Sequence, residues 1–148
     1  MPTEPRPHAA RRDCRDHPAA VLAVISCGGV VGALARYGVG KAFPHQPGEM
    51  PWATLGVNAT GCLAMGVLMA LISEVWTGQR LLRPFLGVGV LGGCTTFSTH
   101  VVDLQQAIAV GRPHLAFAYL ALTVLAAMAG VLAGSALTRR LVRAVKPA

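Results

Sequence analysis

The stretch from Gly92 to His100, GGCTTFSTH, places two glycines and four hydroxyl side chains inside an otherwise apolar segment. Glycine has a poor helix propensity, and Ser and Thr side chains compete for backbone hydrogen bonds, so the pattern predicts a local break in a helix. Inside a membrane such a break persists only where protein or a watery cavity covers it, and the carbonyls that it frees are suited to binding a cation. The stretch is therefore the first candidate for an ion site.

A few other polar side chains also fall within apolar segments, and each costs free energy at membrane depth unless it faces protein or water. The amide of Asn58 offers two donors and one carbonyl, which no helix backbone fully satisfies, so a functional and a structural role are both open. Arg36 lies near the end of its segment, where the alternative to a functional role is that it extends to the membrane interface. The other polar residues within the apolar segments are Thr60, Ser73, Asp103, Gln105, Gln106, Tyr119, Thr123 and Ser135.

These residues must be positioned by membrane-spanning helices. The 148 residues are 53% hydrophobic and only 13% charged, which is outside the usual range of soluble domains. Four apolar stretches, at about 19–40, 52–75, 81–110 and 114–138, each reach the ~20 residues needed to cross a hydrocarbon core. The third would be ~45 Å long as an unbroken helix, which exceeds a ~30 Å core. The sequence thus predicts an all-α membrane protein with four transmembrane helices, the third broken near its middle.

Most basic residues lie outside these stretches, on one side of the predicted bundle. A disordered basic tail is predicted over residues 1–18 and a second basic tail over 139–148, flanking a membrane domain at 19–138. Ten of the 13 Lys and Arg residues fall on this side, against Lys41 and Arg112 on the other. The positive-inside rule then predicts that both termini are cytoplasmic, and no nucleic-acid partner is needed to explain the net charge of +7. The ten are Arg6, Arg11, Arg12, Arg15, Arg80, Arg83, Arg139, Arg140, Arg143 and Lys146.

Small residues recur along the helices at a spacing that permits close helix contact. The pairs with this spacing are Gly28 and Gly32, Gly89 and Gly93, and Gly130 and Gly134. Because four helices alone do not easily enclose a polar path, oligomerisation is expected.

Three motifs, taken together, resemble the Fluc family of small fluoride channels, also called CrcB. GALARY at Gly32–Tyr37 looks like the family's GAxxRY, TLGVNATG at Thr54–Gly61 looks like its TLxVNxxG, and GGCTTFST at Gly92–Thr99 looks like its GGxTTFST. The resemblance runs from about Gly28 to Gly134. It implies a fluoride channel subunit of the plasma membrane, not an enzyme, that works as an antiparallel, dual-topology-type dimer and exports fluoride passively.

The resemblance also implies roles for single residues. A structural sodium ion would be bound by the backbone carbonyls of Gly92 and Thr95, and Arg36 would stand at the vestibule. Asp103 falls where the family often has an acid, and its role is open. The pore residues implied are Asn58, Phe97, Thr96, Ser98, Tyr119 and Thr123, with the ring edge of Phe97 facing the anion.

The sequence departs from the family pattern at His100, where the motif TTFSTF has a second phenylalanine, and at Ala127, where another hydroxyl would be expected. His100 has three readings: a titratable cation beside the anion path, the mark of a pore that does not conduct, or an ordinary polar helix contact. The charge asymmetry suits insertion in one orientation only. It therefore suggests a heterodimer with an oppositely oriented, differently charged paralogue.

Two other functions share some of these features. A small multidrug-type transporter is also a four-helix antiparallel dimer, but it would need a membrane-embedded carboxylate in the first helix, and this sequence has none there. A non-conducting partner subunit of a heterodimeric channel is not excluded by the sequence, and His100 favours it.

Overall fold

The computed structural model describes residues 18–76, 79 and 81–145. Four of its helices are long and apolar enough to cross a membrane, and the described residues contain no strand. This confirms the predicted all-helical chain with four spans. The helices are α1 (Pro18–Ala42), α2 (Trp52–Glu74), a third span over Arg83–Ala109, and α5 (Pro113–Val145).

The third span is not a uniform α-helix. It begins as a π-helix over Arg83–Leu91, passes into the short α3 (Gly92–Cys94), and resumes as α4 (Ser98–Ala109). Thr95, between α3 and α4, has the extended backbone angles φ −72° and ψ 148°. The sequence did not predict the wide π turns, which in other proteins are frequent beside functional sites.

The helix bounds differ from the predicted ones mainly at the C-terminal end. α5 continues to Val145 through most of the segment that was expected to be a tail from residue 139. Arg139, Arg140 and Arg143 lie in this extension, and Arg is a good helix former. The N-terminal tail expected over residues 1–18 lies outside the described residues except for Pro18, which begins α1.

Glycines bring α1 into backbone contact with the third span. A Cβ atom on Gly32 would meet the Val90 carbonyl and lie 2.7 Å from the Cys94 nitrogen, and one on Gly28 would lie 2.6 Å from the Phe85 carbonyl. Since real Cβ atoms do not approach backbone this closely, only glycine fits.

Glycines also bring α2 into backbone contact with α5. A Cβ atom on Gly66 would meet the Val131 carbonyl, and one on Gly134 would meet the Leu63 carbonyl. The glycine pairs singled out in the sequence therefore make helix contacts within one subunit. They provide no argument for oligomerisation, which has to rest on other features.

Polar contacts identify which loops share an end of the bundle. Arg112, after α4, donates from Nη1 to the Gly48 carbonyl at 2.8 Å, so the α1–α2 and α4–α5 connections lie together. At the opposite end, Arg139 Nε lies 3.7 Å from Glu74 Oε1. The basic residues of α5 are thus at the end away from Lys41 and Arg112, as the predicted topology requires; the cytoplasmic orientation itself stays a prediction.

Candidate ion pathway

Asn58 on α2 is hydrogen-bonded to the interruption of the third span, which is the non-helical segment 95–97 between α3 and α4. Its Nδ2 donates to the Thr96 carbonyl at 3.0 Å, and the Thr96 backbone N–H donates to its Oδ1 at 2.9 Å. The side chain thus satisfies both backbone groups of a residue that has no helical partners, and leaving them buried and unpaired would cost about 1–3 kcal/mol each. Asn58 therefore has a structural role, and its amide retains one further N–H beyond these bonds.

The hydroxyl groups around the interruption make hydrogen bonds with backbone groups at the end of the π-helix and at the start of α4. Thr95 donates from Oγ1 to the Leu91 carbonyl at 2.9 Å, at the end of the first half. The Thr96 hydroxyl accepts the Thr99 backbone N–H at 3.2 Å, at the start of the second. It also lies 3.2 Å from the hydroxyls of both Ser98 and Thr99. The run of hydroxyls is thus a connected cluster rather than a row of independent groups.

The backbone carbonyls at the interruption fall into two sets. Those of Leu91, Gly93 and Thr96 accept hydrogen bonds from Thr95, from Arg36 Nε at 3.4 Å and from Asn58. No described residue donates a hydrogen bond to the carbonyl of Gly92 or Thr95. Carbonyl oxygens are ligands that hard cations prefer, so these two residues fit the predicted sodium ion.

Four predicted pore residues meet in one groove. The groove has a volume of about 320 Å³, lies between α2, the interruption and α5, and is open at the surface of the subunit. Phe97 at its edge is 77% exposed. Among the residues that line it are Asn58, Thr96, Phe97, His100, Thr123 and Ala127.

The other two predicted pore residues lie elsewhere. Tyr119 is 2% exposed and is enclosed behind His100, with 4.5 Å between the two ring centroids. Its hydroxyl donates to Asp103 Oδ2 at 3.4 Å. Ser98 is exposed beside Thr96 and is not among the residues found around the groove. The groove of a single subunit thus contains four of the six predicted pore residues.

Asp103, whose role the sequence left open, joins α4 to a loop and to α5. Besides Tyr119, it contacts His45 of the α1–α2 connection, with 3.4 Å between Asp103 Oδ1 and His45 Nε2. Asp103 is buried, and both of its carboxylate oxygens have partners. Sequence reasoning missed His45, because a lone histidine in a proline-containing loop carries no spacing signal.

A basic cavity of about 400 Å³ lies beside the interruption, at the end of α1. Arg36, Lys41 and His45 line it, together with Thr96 and Thr99. Because these side chains are positively charged or can become so, the cavity attracts anions. Arg36 also contacts the Gly93 carbonyl, so it does more than extend to the membrane interface. Lys41 belongs to this site, although the sequence marked it only as a loop charge.

Comparison with known proteins matches this architecture to one family. The family model described as "CrcB-like protein, Camphor Resistance (CrcB)" matches residues 23–135. The chain belongs to the CrcB family. It is a multi-pass membrane protein whose four spans all fall largely within the matched region.

Relatives of this CrcB chain carry channel names. "Fluoride-specific ion channel FluC 2" of Nocardia farcinica is 52% identical over 120 residues, which cover 81% of this chain and 86% of the relative. "Fluoride-specific ion channel FluC 2" of Streptomyces avermitilis is 50% identical over 118 residues, covering 80% and 75%. The same organism has "Fluoride-specific ion channel FluC 3", 42% identical over 98 residues, covering 66% and 47%. These relatives confirm the family resemblance and the prediction that the chain is not an enzyme.

One contact of this CrcB chain gives a prediction at the interruption itself. A Cβ atom on Gly61 of α2 would meet Cγ2 of Thr95. We expect Gly61→Ala to destabilise the protein by about 1–3 kcal/mol, the usual cost of overpacking. Adding Thr95→Ser should restore most of this stability, because serine lacks Cγ2 but keeps the hydroxyl bonded to Leu91. Thermal unfolding of the single and double variants in detergent measures the coupling. Additive effects of the two changes would contradict the contact.

Proposed function

We propose that this chain is a subunit of a fluoride channel in the cell membrane, through which fluoride leaves the cytoplasm passively. The observation that carries the proposal is the groove in which Asn58, Thr96, Phe97 and Thr123 meet beside the interrupted helix. The naming of the relatives as fluoride-specific channels supports the same conclusion.

The basic cavity forms the outer end of the proposed path, because Arg36 and Lys41 lie at the end of α1 opposite the predicted cytoplasmic N-terminus. Arg36 and Lys41 raise the local anion concentration, and the cavity leads to the hydroxyls of Thr96 and Thr99. Thr96 lines both the cavity and the groove, so it connects the two. Fluoride is small and strongly hydrated, so the path has to replace its water with donors at close range.

In the groove, the Asn58 amide and the Phe97 ring are proposed to take the place of the water molecules around fluoride. The Asn58 amide N–H that is not bonded to Thr96 is a full hydrogen-bond donor. The edge of the Phe97 ring carries the positive part of its quadrupole, which an anion can approach. A dry, narrow contact with a ring edge disfavours larger anions such as chloride, which is the proposed basis of selectivity.

A second subunit is needed to close this path. Non-helical backbone at membrane depth has to be buried in protein or line a watery cavity, and the segment from Thr95 to Phe97 is non-helical. The groove beside it is open at the subunit surface. We therefore propose an antiparallel dimer whose partner covers the groove and the exposed Phe97.

A sodium ion is proposed as the structural link in this dimer. The Gly92 and Thr95 carbonyls of two subunits would together supply four oxygen ligands. The positive charge of the ion would hold the two interruptions together. Exchanging sodium for a large organic cation during purification should then lower the melting temperature of the dimer, and an unchanged melting temperature would contradict the assignment.

Both termini of this chain are proposed to lie in the cytoplasm. The partner is proposed to be a paralogue that inserts in the opposite orientation. The ten-to-two distribution of Lys and Arg favours one orientation of this chain. An organism with a related chain, Streptomyces avermitilis, has more than one such protein. Fluoride-conducting dimers made by this chain alone, with subunits in both orientations, would contradict the heterodimer.

Growth of a fluoride-sensitive bacterium that lacks its own fluoride channel tests the function in cells. We expect the chain, expressed with its paralogue if it needs one, to restore growth in fluoride but to have no effect on growth in the same concentration of chloride. Failure to restore growth, with both proteins present in the membrane, would contradict the proposal. Rescue that needs only the paralogue would favour the rival function, a non-conducting partner subunit.

A further inference from the structure

His100 is a buried polar side chain whose hydrogen bonding is incomplete. It is 3% exposed, and its Nδ1 is buried without a hydrogen-bond partner in the part of the chain that the structure describes. His100 is also among the residues that line the groove. Buried polar groups are rarely left unpaired, and each one calls for an explanation such as a ligand.

Three polar neighbours of His100 have partners, whereas Thr123 Oγ1 in the same groove is also buried without a hydrogen-bond partner in the described part of the chain. The Tyr119 hydroxyl is bonded to Asp103, and the second carboxylate oxygen of Asp103 contacts His45. Asn58, across the groove, is held by both backbone groups of Thr96. With these three neighbours engaged, His100 Nδ1 and Thr123 Oγ1 are left unpartnered around one groove, which points to a ligand there.

The surroundings favour an anion as that ligand. The centroid of the Phe97 ring lies 6.1 Å from that of His100, and the hydroxyls of Thr96 and Thr123 belong to the same groove. No Asp or Glu is found among the residues around the groove. Histidine differs from the phenylalanine expected at this position, because an imidazole N–H is a full hydrogen-bond donor and the ring can also take up a proton.

We propose that the imidazole of His100 is a fluoride ligand, which donates N–H to the ion in the groove beside Phe97. This inference rests on the proposed function and adds a binding residue to it. When the ring takes up a second proton its charge attracts the anion more strongly, so protons and fluoride assist each other's binding by the same factor. The titratable groups that face His100 or join its network are Cys62 on α2, Asp103 on α4, Tyr119 on α5 and His45 in the α1–α2 loop.

Nuclear magnetic resonance of the purified dimer, labelled with ¹⁵N-histidine in this chain, tests binding without reference to conduction. His100→Gln assigns the His100 ring signal by its disappearance. We expect sodium fluoride to shift this signal saturably, sodium chloride to leave it in place, and the His114 signal to respond to neither. A His100 signal that does not move over a fluoride titration, or that moves equally with chloride, would overturn the proposal.

Fluoride flux from liposomes provides the second measurement. We expect the flux of the unchanged protein to rise at acidic pH, and His100→Phe to remove this rise. The same change should weaken apparent fluoride binding about fivefold or more, the range of typical site coupling. His100→Gln keeps a donor but takes up no proton, so it should lose the pH effect and retain part of the binding. His114→Gln, at the exposed start of α5, is the matched control and should change neither.

The two measurements separate this inference from the proposed function. Protein-free liposomes at each pH correct for hydrogen fluoride that crosses the lipid directly. If the unchanged dimer conducts no fluoride, the proposed function fails, and the resonance shift alone decides whether His100 binds the ion. If the dimer conducts fluoride and its pH profile is the same in His100→Phe, the proposal for His100 fails and the channel function stands.

Discussion

Asn58→Asp should reduce fluoride flux by at least about tenfold. The aspartate keeps the size of the side chain and can still accept the Thr96 backbone N–H, but it cannot donate to the Thr96 carbonyl. Losing a buried hydrogen bond of this kind costs about 1–3 kcal/mol, and every 1.4 kcal/mol corresponds to about tenfold in an equilibrium. The carboxylate also repels an anion where the amide N–H attracts one. The measurement is fluoride efflux from liposomes, with thermal unfolding as a check on folding.

Thr60→Ala is the matched control for this change. Thr60 lies on the same helix, and its hydroxyl bonds only to carbonyls of that helix, Gly56 at 2.7 Å and Val57 at 3.3 Å. Its removal should leave the flux within about twofold of the unchanged protein, because such surface changes usually alter stability by less than about 0.5 kcal/mol. Equal fluoride flux in Asn58→Asp and Thr60→Ala would show that Asn58 neither supports the interruption nor contacts the ion.

The second large effect is expected at the contact between α1 and the third span. Gly32→Ala would place a Cβ atom against the Val90 carbonyl and the Cys94 nitrogen, and backbone cannot move aside as a side chain can. Overpacking costs about 1–3 kcal/mol, and we expect the upper part of this range here. The separation of the two helices would also displace the adjoining interruption. The change should therefore lower both the melting temperature in detergent and the fluoride flux.

Gly38→Ala tests whether this effect is specific to the contact. Gly38 is on the same helix, and a Cβ atom there would have no neighbour within 4 Å. Alanine is favoured over glycine in a helix by about 1 kcal/mol, so this variant should be as stable as the unchanged protein or slightly more so. Destabilisation of both variants to the same degree would contradict the close packing at Gly32.

The four spans could be predicted because hydrophobic length is a local property of a sequence. The special character of Gly92 to Thr99 could be predicted for the same reason, since glycine and hydroxyl residues weaken a helix wherever they occur. The pairing of Asn58 with Thr96 could not, because it joins residues 38 positions apart on two elements whose relative placement depends on the whole fold. Sequence reasoning left a structural and a functional role of the Asn58 amide both open, and the structure gives half of its hydrogen-bonding capacity to the backbone.

Packing also decided which of the polar candidates share a site. Tyr119 and Thr123 lie one turn apart on α5, yet Thr123 lines the groove while Tyr119 points to Asp103 behind His100. Helical spacing places two residues on one face but does not say how deeply each is buried. The contact of His45 with Asp103 could not be predicted for a similar reason, because the position of a loop histidine depends on how the loop folds back on the helices.

Fluoride and chloride efflux from liposomes that contain the purified protein, followed with ion-selective electrodes, tests the central claim most directly. The chain would be measured alone, together with its paralogue, and as Asn58→Asp in the same arrangement. We expect rapid fluoride efflux, chloride efflux no faster than from protein-free liposomes, and loss of fluoride efflux in the variant. Fluoride efflux at the protein-free rate in every arrangement, or chloride efflux as fast as fluoride efflux, would contradict a fluoride channel.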